Sequence, residues 1–208
     1  FIAKYPGEIG NALKVSIVGT DSAGGSSVNF DNWAYKDEFD GAPGTSSFAS
    51  NLGASNDEIH VVVVDETGDI TGNVGAVLET FPYLSVAKNA KASDGTSNYY
   101  KDVLKNRSDW VYSGDFHTGD SDSVSDFVGS NWGNNATTSG ENFATGQNFS
   151  ATQSTWSFHS GVTSSSLGTD DVLRGFDKFE DKDNIEVDFL IAPESIADAT
   201  ATTVVNDL

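Results

Sequence analysis

The alternation of apolar and polar positions predicts strands in the first part of the chain. Residues 11–19 alternate, which is typical of a half-buried strand with Leu13, Val15 and Ile17 on one face and Lys14 and Ser16 on the other. Residues 58–64 (EIHVVVV) are apolar on both faces apart from His60, which favours a central strand. The turn sequence DETGDITGN and the return strand VGAVLETF complete a predicted β-hairpin, with FPYLSV starting a new extended piece.

Other segments follow different patterns. Residues 20–57 are rich in Gly, Ser, Asn and Asp, which predicts long loops with short strands at best. A helix is predicted over about residues 97–107, with Ser97 as its N-cap and basic side chains in its last turn. Its apolar face comprises Tyr99, Tyr100, Val103 and Leu104. Residues 109–112 then read as a strand.

The composition changes twice along the rest of the chain. Residues 113–157 are dominated by Ser, Gly, Asn, Thr and Asp with scattered Phe and Trp; either a linker or an elaborated surface loop fits, and the aromatic residues favour the loop. Apolar residues at helical spacing predict a helix that begins at Thr169. An alternating pattern around residues 185–191 then predicts a strand, which ends at Pro193. Helix, strand and helix with short connections begin an α/β layer, so we expect a domain boundary near residues 166–168.

Bulk properties narrow the function classes. The chain has 208 residues, a net charge of −20 from 31 acids and 11 bases, and no Cys or Met. The charge disfavours nucleic acid and anionic membranes as partners, and the lack of Cys removes thiol chemistry and Cys-ligated zinc. No apolar run is long enough to span a bilayer. Because Met is absent and the last residues carry no helix stop signal, we expect the chain to be a piece of a larger protein.

Candidate catalytic chemistry is sparse. The sequence contains no phosphate-binding glycine loop, no zinc-binding HExxH and no nucleophile elbow. His60 lies in an apolar strand and is expected to pack in the core, whereas His117 and His159 lie in polar loops without a ligand-spaced partner. We therefore assign no catalytic, cofactor-binding or metal-binding residue and expect no cofactor.

Two other possibilities for ligands stay open. Asp120, Asp122 and Asp126 lie close together in a polar loop that could hold calcium, although they do not follow the EF-hand spacing. Trp110, Trp132 and Trp156, together with the many carboxylates, leave room for a sugar-binding module or a glycoside hydrolase fragment.

Three stretches, in this order, resemble the sheath proteins of contractile bacteriophage tails. They are YPGEIGNALKVSIV near the start, the hairpin-to-helix stretch from IHVVVV to RSDWVY, and GTDDVLRGFDKFEDKDNIEVDFLIAPE. The resemblance covers about residues 4–19, 58–112 and 160–195, and residues 113–157 depart from it. The positions that carry the resemblance are Tyr5, Pro6, Gly7, Glu8, Gly68, Leu78, Glu79, Leu84, Ser85, Asp94, Gly95, Ser97, Asn98, Tyr99, Tyr100 and Pro193.

The resemblance implies an α+β fold and a structural role. It implies a β-rich, barrel- or sandwich-like protruding domain over residues 1–166, followed by the start of an α/β inner domain over residues 167–208. It further implies a non-enzymatic subunit that polymerises as stacked hexameric rings around the tail tube and contracts to drive the tube through the host envelope.

The implied partners are neighbouring sheath subunits, the tail tube protein, and baseplate and terminator proteins, with no nucleic acid and no membrane insertion. The implied location is the virion, after assembly in the bacterial host cytoplasm. The alternative is a secreted or virion-surface carbohydrate-binding module, assisted by calcium.

Overall fold

An antiparallel sheet of four strands organises the part of the chain that the computed structural model describes, residues 1–20, 28–113, 131–138, 145–151 and 153–163. Its strands are β2 (Leu13–Gly19), β3 (Glu58–Asp65), β4 (Ala76–Ser85) and β8 (Ser154–Ser157), in the order β4-β3-β2-β8. The β-branched run of β3 lies between two neighbours, so the prediction of a central strand is confirmed.

The predicted hairpin between β3 and β4 is also confirmed. The buried carboxylate of Asp65 accepts hydrogen bonds from the backbone N–H groups of Gly68, Ile70 and Thr71 at 2.7 to 3.1 Å, which orders the connecting loop. Gly68 has a φ of 83°, and a Cβ there would lie 2.9 Å from the Val74 nitrogen, so this position requires glycine.

The separate extended piece predicted at FPYLSV is wrong, because β4 continues through it to Ser85. A bulge opposite His60 lets the strand pass Pro82, since proline cannot donate to the ladder. Tyr83 has a φ of 52° at this bulge.

The sheet is covered on both faces, which corrects the prediction that the first strand is only half buried. One face carries the main core, which includes Val15, Ile17, Val61 and Val63. On the other face Val18, Val62 and Val64 pack against the indole of Trp33. That indole donates a 2.9 Å hydrogen bond to Ser16, so the polar face of β2 is occupied by a partner distant in sequence.

Residues 29–46, called the cover segment below, supply this second layer. The region was predicted as long loops with short strands at best; in its described part the loops are instead interrupted by α1 (Val28–Asp31), a 3₁₀ turn (Lys36–Glu38) and, directly after the cover segment, α2 (Ser47–Asn51). The Ser46 hydroxyl caps α2 by accepting the Ala49 N–H at 3.1 Å.

The predicted helix is confirmed as α3 (Tyr100–Arg107). It begins three residues after the expected cap, since Tyr99 occupies the N-cap position while the Ser97 hydroxyl donates to Asp102 instead. Its predicted apolar face is buried.

The strand predicted at 109–112 is β5 (Val111–Tyr112), which pairs with β1 (Ile2–Ala3) in a separate two-stranded ribbon.

Residues 113–157, called the Gly/Ser/Asn-rich excursion below, contribute to the fold wherever the structure describes them. β6 (Thr137–Thr138) pairs with β7 (Thr145–Gly146), and β8 forms an edge of the main sheet. Ala136, Phe149 and Ala151 are buried in the main core. In its described parts this excursion is therefore a packed element of the fold and not a linker.

Short helices beside an antiparallel sheet confirm the α+β, β-rich fold class. Among the described strands, β4 and β8 are the edges of the four-stranded sheet, and the other four strands form two ribbons. Residues Phe1–Val162 make one compact unit. The helix and strand expected after Thr169, the boundary at 166–168 and Pro193 lie outside the described residues.

Candidate assembly surface

Within the second resembling stretch, the return strand and the helix are joined by side-chain hydrogen bonds. Glu79 on β4 accepts from the Ser108 hydroxyl and from the Asp109 N–H, both at 2.6 Å, at the end of α3. The Ser108 oxygen accepts in turn from the N–H of Val111 at 3.0 Å. One carboxylate therefore ties the middle of β4 to the exit of α3 and the start of β5.

The end of β4 is held in a similar way. The Ser85 N–H donates to the Asn98 carbonyl, and the Asn98 side-chain amide donates to the Tyr83 carbonyl, both at 2.9 Å. Leu84 is buried in the main core, and Leu78 packs against it. These contacts make the return strand and the loop before α3 one rigid piece.

The exposed turn at Asp94 and Gly95 completes this loop. Gly95 has a φ of 84°. Hydrogen bonds from the Thr96 hydroxyl and N–H to Asp94, at 2.7 and 2.9 Å, lower the pKa of this carboxyl. Tyr99 and Tyr100 follow as buried rings in edge-to-face contact. These contacts shape the loop that leads into α3.

The segment with Tyr5, Pro6, Gly7 and Glu8 connects the ribbon to the sheet. Gly7 has a φ of 101° and precedes a 3₁₀ helix (Glu8–Ala12) that leads into β2. Tyr5 is about half exposed, and its ring lies 5.5 Å from that of Trp110.

Two long-range contacts hold this segment in place. The Lys4 ammonium donates to the carbonyls of Lys105 and Ser108 at the C-terminal end of α3, where the helix dipole favours a cation. The side-chain amide of Asn11 donates to the Gly161 carbonyl and accepts the Gly161 N–H, at 2.8 and 2.7 Å.

These contacts leave a groove of about 750 Å³ between the first residues, α3 and residues 156–161. Its aromatic lining residues are Phe1, Tyr5, Tyr100, Trp132, Trp156 and Phe158. Among the described residues, none of those that line it has a carboxylate, ammonium or guanidinium side chain. The size suits a ligand or several inserted side chains.

No catalytic arrangement surrounds the histidines that the structure describes. His60 is fully buried, its Nδ1 accepts the Tyr83 N–H at 3.0 Å, and its Nε2 lies 2.8 Å from the Gly41 carbonyl. An N–H donor at Nδ1 requires a neutral ring with its proton on Nε2. The ring also stacks on Phe39 at 4.4 Å, so the prediction of a packed core histidine is confirmed.

Burial shifts two titratable groups on β3. Desolvation lowers the pKa of His60 below its ordinary 6.5, against the opposing effect of hydrogen bonding to Gly41. Desolvation raises the pKa of Glu58 above 4.5, although its hydrogen bond from the Gly44 N–H opposes the shift. Both groups face the cover segment, so they anchor it to the sheet.

No group of three or more His, Asp or Glu side chains in the described residues could hold a metal ion. His159 is exposed and bonds the neighbouring Ser160 hydroxyl. His117 and the acidic cluster of Asp120, Asp122 and Asp126 lie outside the described residues. Within the described ranges no helix has the length and apolarity needed to cross a membrane.

Three features of this structure were not predicted from the sequence. Buried Asp57 accepts hydrogen bonds from the N–H and hydroxyl of Ser46 and from the Ser85 hydroxyl, joining α2 to β4. Trp156 belongs to the sheet through β8, and Asn11 clamps Gly161. The alternation in STWS was a signal for β8, but four residues in a Ser-rich stretch are too few to stand out.

Part of this chain is similar to a phage tail sheath protein. Over 100 residues the chain is 33% identical to the tail sheath protein of Salmonella phage ViI, which covers 48% of this chain and 13% of that protein. The matched stretch is therefore a small part of that relative's length. No protein family profile and no solved structure matches the chain.

Proposed function

We propose that this chain is part of a structural, non-enzymatic subunit of a contractile phage tail sheath. The observation that carries the proposal is the 33% identity to a phage tail sheath protein over 100 residues. The three stretches that resemble tail sheath proteins add support.

The finer proposal concerns assembly and movement. The subunit polymerises with copies of itself as stacked hexameric rings around the tail tube and contacts baseplate and terminator proteins at the ends of the sheath. It assembles in the bacterial host cytoplasm and acts in the virion. Contraction moves subunits as rigid bodies between two sets of contacts, so the free energy comes from the difference between those sets.

The bonding within the described unit supports a rigid-body role. Glu79, Asn98 and Lys4 each connect segments distant in sequence, and Asp57 connects α2 to β4. A unit cross-linked in this way transmits force without internal rearrangement. Its functional positions are those that maintain shape.

Electron microscopy of the full-length protein, expressed with and without its tail tube protein, tests the proposal. We expect stacked rings or hollow helical tubes whose subunit envelope accommodates the four-stranded sheet. A full-length protein that stays monomeric at high concentration, even with the tube protein present, would contradict the assignment.

A carbohydrate-binding module is the second candidate, favoured by the aromatic groove alone. It predicts retention on a glycan array and, with calcium assistance, a lower melting temperature after EDTA treatment. For a sheath subunit we expect no glycan retention and a melting temperature that EDTA changes by less than about 1 °C. At this chain length a change of 1 kcal/mol in the free energy of unfolding would shift the melting temperature by roughly 2–4 °C.

A further inference from the structure

The aromatic groove stands out electrostatically from the rest of the chain. The whole chain has a net charge of −20, and one residue in five is charged. Of the described residues that line the groove, none has a carboxylate, ammonium or guanidinium side chain. Two copies of so acidic a chain repel each other at most orientations, and an uncharged surface is where close approach costs least.

The aromatic rings of the groove indicate what kind of partner fits. Trp156 contacts Phe1 with ring centroids 5.7 Å apart, and Trp132 contacts Tyr100 with centroids 5.2 Å apart. Paired, tilted rings make a shaped apolar cleft and not the open, flat ring face on which a sugar stacks. The Asn11 amide is already committed to Gly161, so it is not an available polar partner.

Exposed apolar side chains extend the groove outward. Ile2 is 60% exposed and Tyr5 51% exposed. Aromatic and aliphatic side chains at the centre of a patch, with few charges, are the composition of protein interface cores. Since a concave surface cannot fill itself, the partner has to present a different, convex surface, and such head-to-tail contacts propagate into rings or helical polymers.

We propose that this groove receives apolar side chains of a second copy of this chain and is a subunit interface of the polymer. The proposal rests on the proposed sheath function. It also gives Tyr5, in the YPGE turn, a role beyond the fold: its ring forms part of the wall that the neighbouring copy contacts.

The interface is tested by measuring how full-length variants polymerise. Ile2→Glu and Tyr5→Glu each place a charge in the contact, where it would be buried without a partner. We expect each to raise the concentration needed for assembly at least about tenfold, as for central interface positions. Leu52→Glu is the matched control, because Leu52 is an apolar side chain with 37% exposure that follows α2 near the start of β3, at the other end of the sheet.

Oxidative footprinting of the wild-type protein gives a second readout that does not depend on variant folding. In the polymer, modification of Tyr5 and Phe158 should fall several-fold relative to the monomer, while Leu52 keeps its reactivity. Circular dichroism melting of unassembled variants checks that they fold.

Each result decides between the alternatives. If wild-type protein assembles and both groove variants assemble at the same concentration, the interface is elsewhere and the sheath assignment stands. If Leu52→Glu is equally defective, added charge alone explains the loss and the groove proposal fails. Retention of the unassembled protein on a glycan array, lost in Tyr5→Glu, would assign the groove to a sugar. Failure of the wild-type protein to assemble would overturn both proposals.

Discussion

At the scale of single residues, His60 is a buried polar side chain that stabilises the fold by bonding two separate segments. Its two ring nitrogens satisfy the Tyr83 N–H at the β4 bulge and the Gly41 carbonyl in the cover segment. Phe39 stacks on the ring and Phe30 meets it edge-on, so the sheet and the cover segment meet at one imidazole. The ring holds this position only while it is neutral.

The stability of the fold should therefore fall in mild acid. Burial lowers the pKa of folded His60 below the 6.5 of the unfolded chain, so between the two pKa values the unfolded state binds more protons. The contribution is fully present above pH 6.5 and is lost as the pH falls towards the folded pKa. Urea unfolding between pH 8 and pH 5 measures this loss.

His60→Gln separates this effect from other titrations. A glutamine side chain offers an NH2 donor group and a carbonyl acceptor but does not titrate, so the variant should show a flatter stability profile between pH 5 and 6.5. Glu58, whose pKa is raised by burial, changes stability in the opposite direction and in both proteins alike. Exposed His159 supplies the control: if His159→Gln flattens the profile and His60→Gln does not, the interpretation of His60 is wrong.

At the scale of elements, β4 and α3 depend on each other more than on their own propensities. α3 has eight residues and no side-chain cap, and isolated helices of that length are unstable in water. Its exit is held by Glu79 and Lys4, and its apolar face by the core. Tertiary contacts therefore decide where this helix begins and ends.

Glu79→Ala should destabilise the fold by roughly 2 kcal/mol, because the Ser108 hydroxyl and the Asp109 N–H would lose a charged acceptor. In a double-mutant cycle with Ser108→Ala, we expect a coupling free energy of roughly 1 kcal/mol. Chemical denaturation of the four proteins provides the measurement.

The neighbouring exposed residue Thr80 is the control for this cycle. Thr80→Ala combined with Ser108→Ala should be additive within about 0.5 kcal/mol. Additivity of the Glu79 and Ser108 substitutions would mean that the hydrogen bond does not connect β4 to α3 energetically.

At the scale of the whole molecule, charge and apolar surface are separated. The acidic excess keeps copies apart, and the proposed interface is confined to a groove that no described carboxylate, lysine or arginine side chain lines. A polymer built in this way forms through apolar contact against a background of electrostatic repulsion. Its assembly should therefore respond to ionic strength in a direction opposite to that of a polymer held by ion pairs.

Raising the salt concentration from about 10 mM to about 100 mM shortens the Debye length from roughly 30 Å to roughly 10 Å. We expect the concentration of full-length protein needed for assembly to fall over this range, as measured by sedimentation. Tyr5→Glu should show the same trend at a higher concentration. Dissolution of the polymer by added salt would indicate that ion pairs hold the subunits together.

The sequence by itself determined the elements whose signal is local. The β-branched run of β3, the glycine-dependent loop after it and the apolar face of α3 are each encoded within about ten residues, since side-chain periodicity and backbone freedom are local properties. The three resembling stretches are also local patterns, and the α+β class was what that resemblance implied.

Only the tertiary structure decided the features that depend on distant partners. Trp33 covers β2, β8 joins the sheet across more than 130 residues, and Asn11 meets Gly161. The groove exists because the first residues, α3 and residues 156–161 meet at one place. These pairings arise from packing and from the need to satisfy buried polar groups, and neither leaves a periodic trace along the chain.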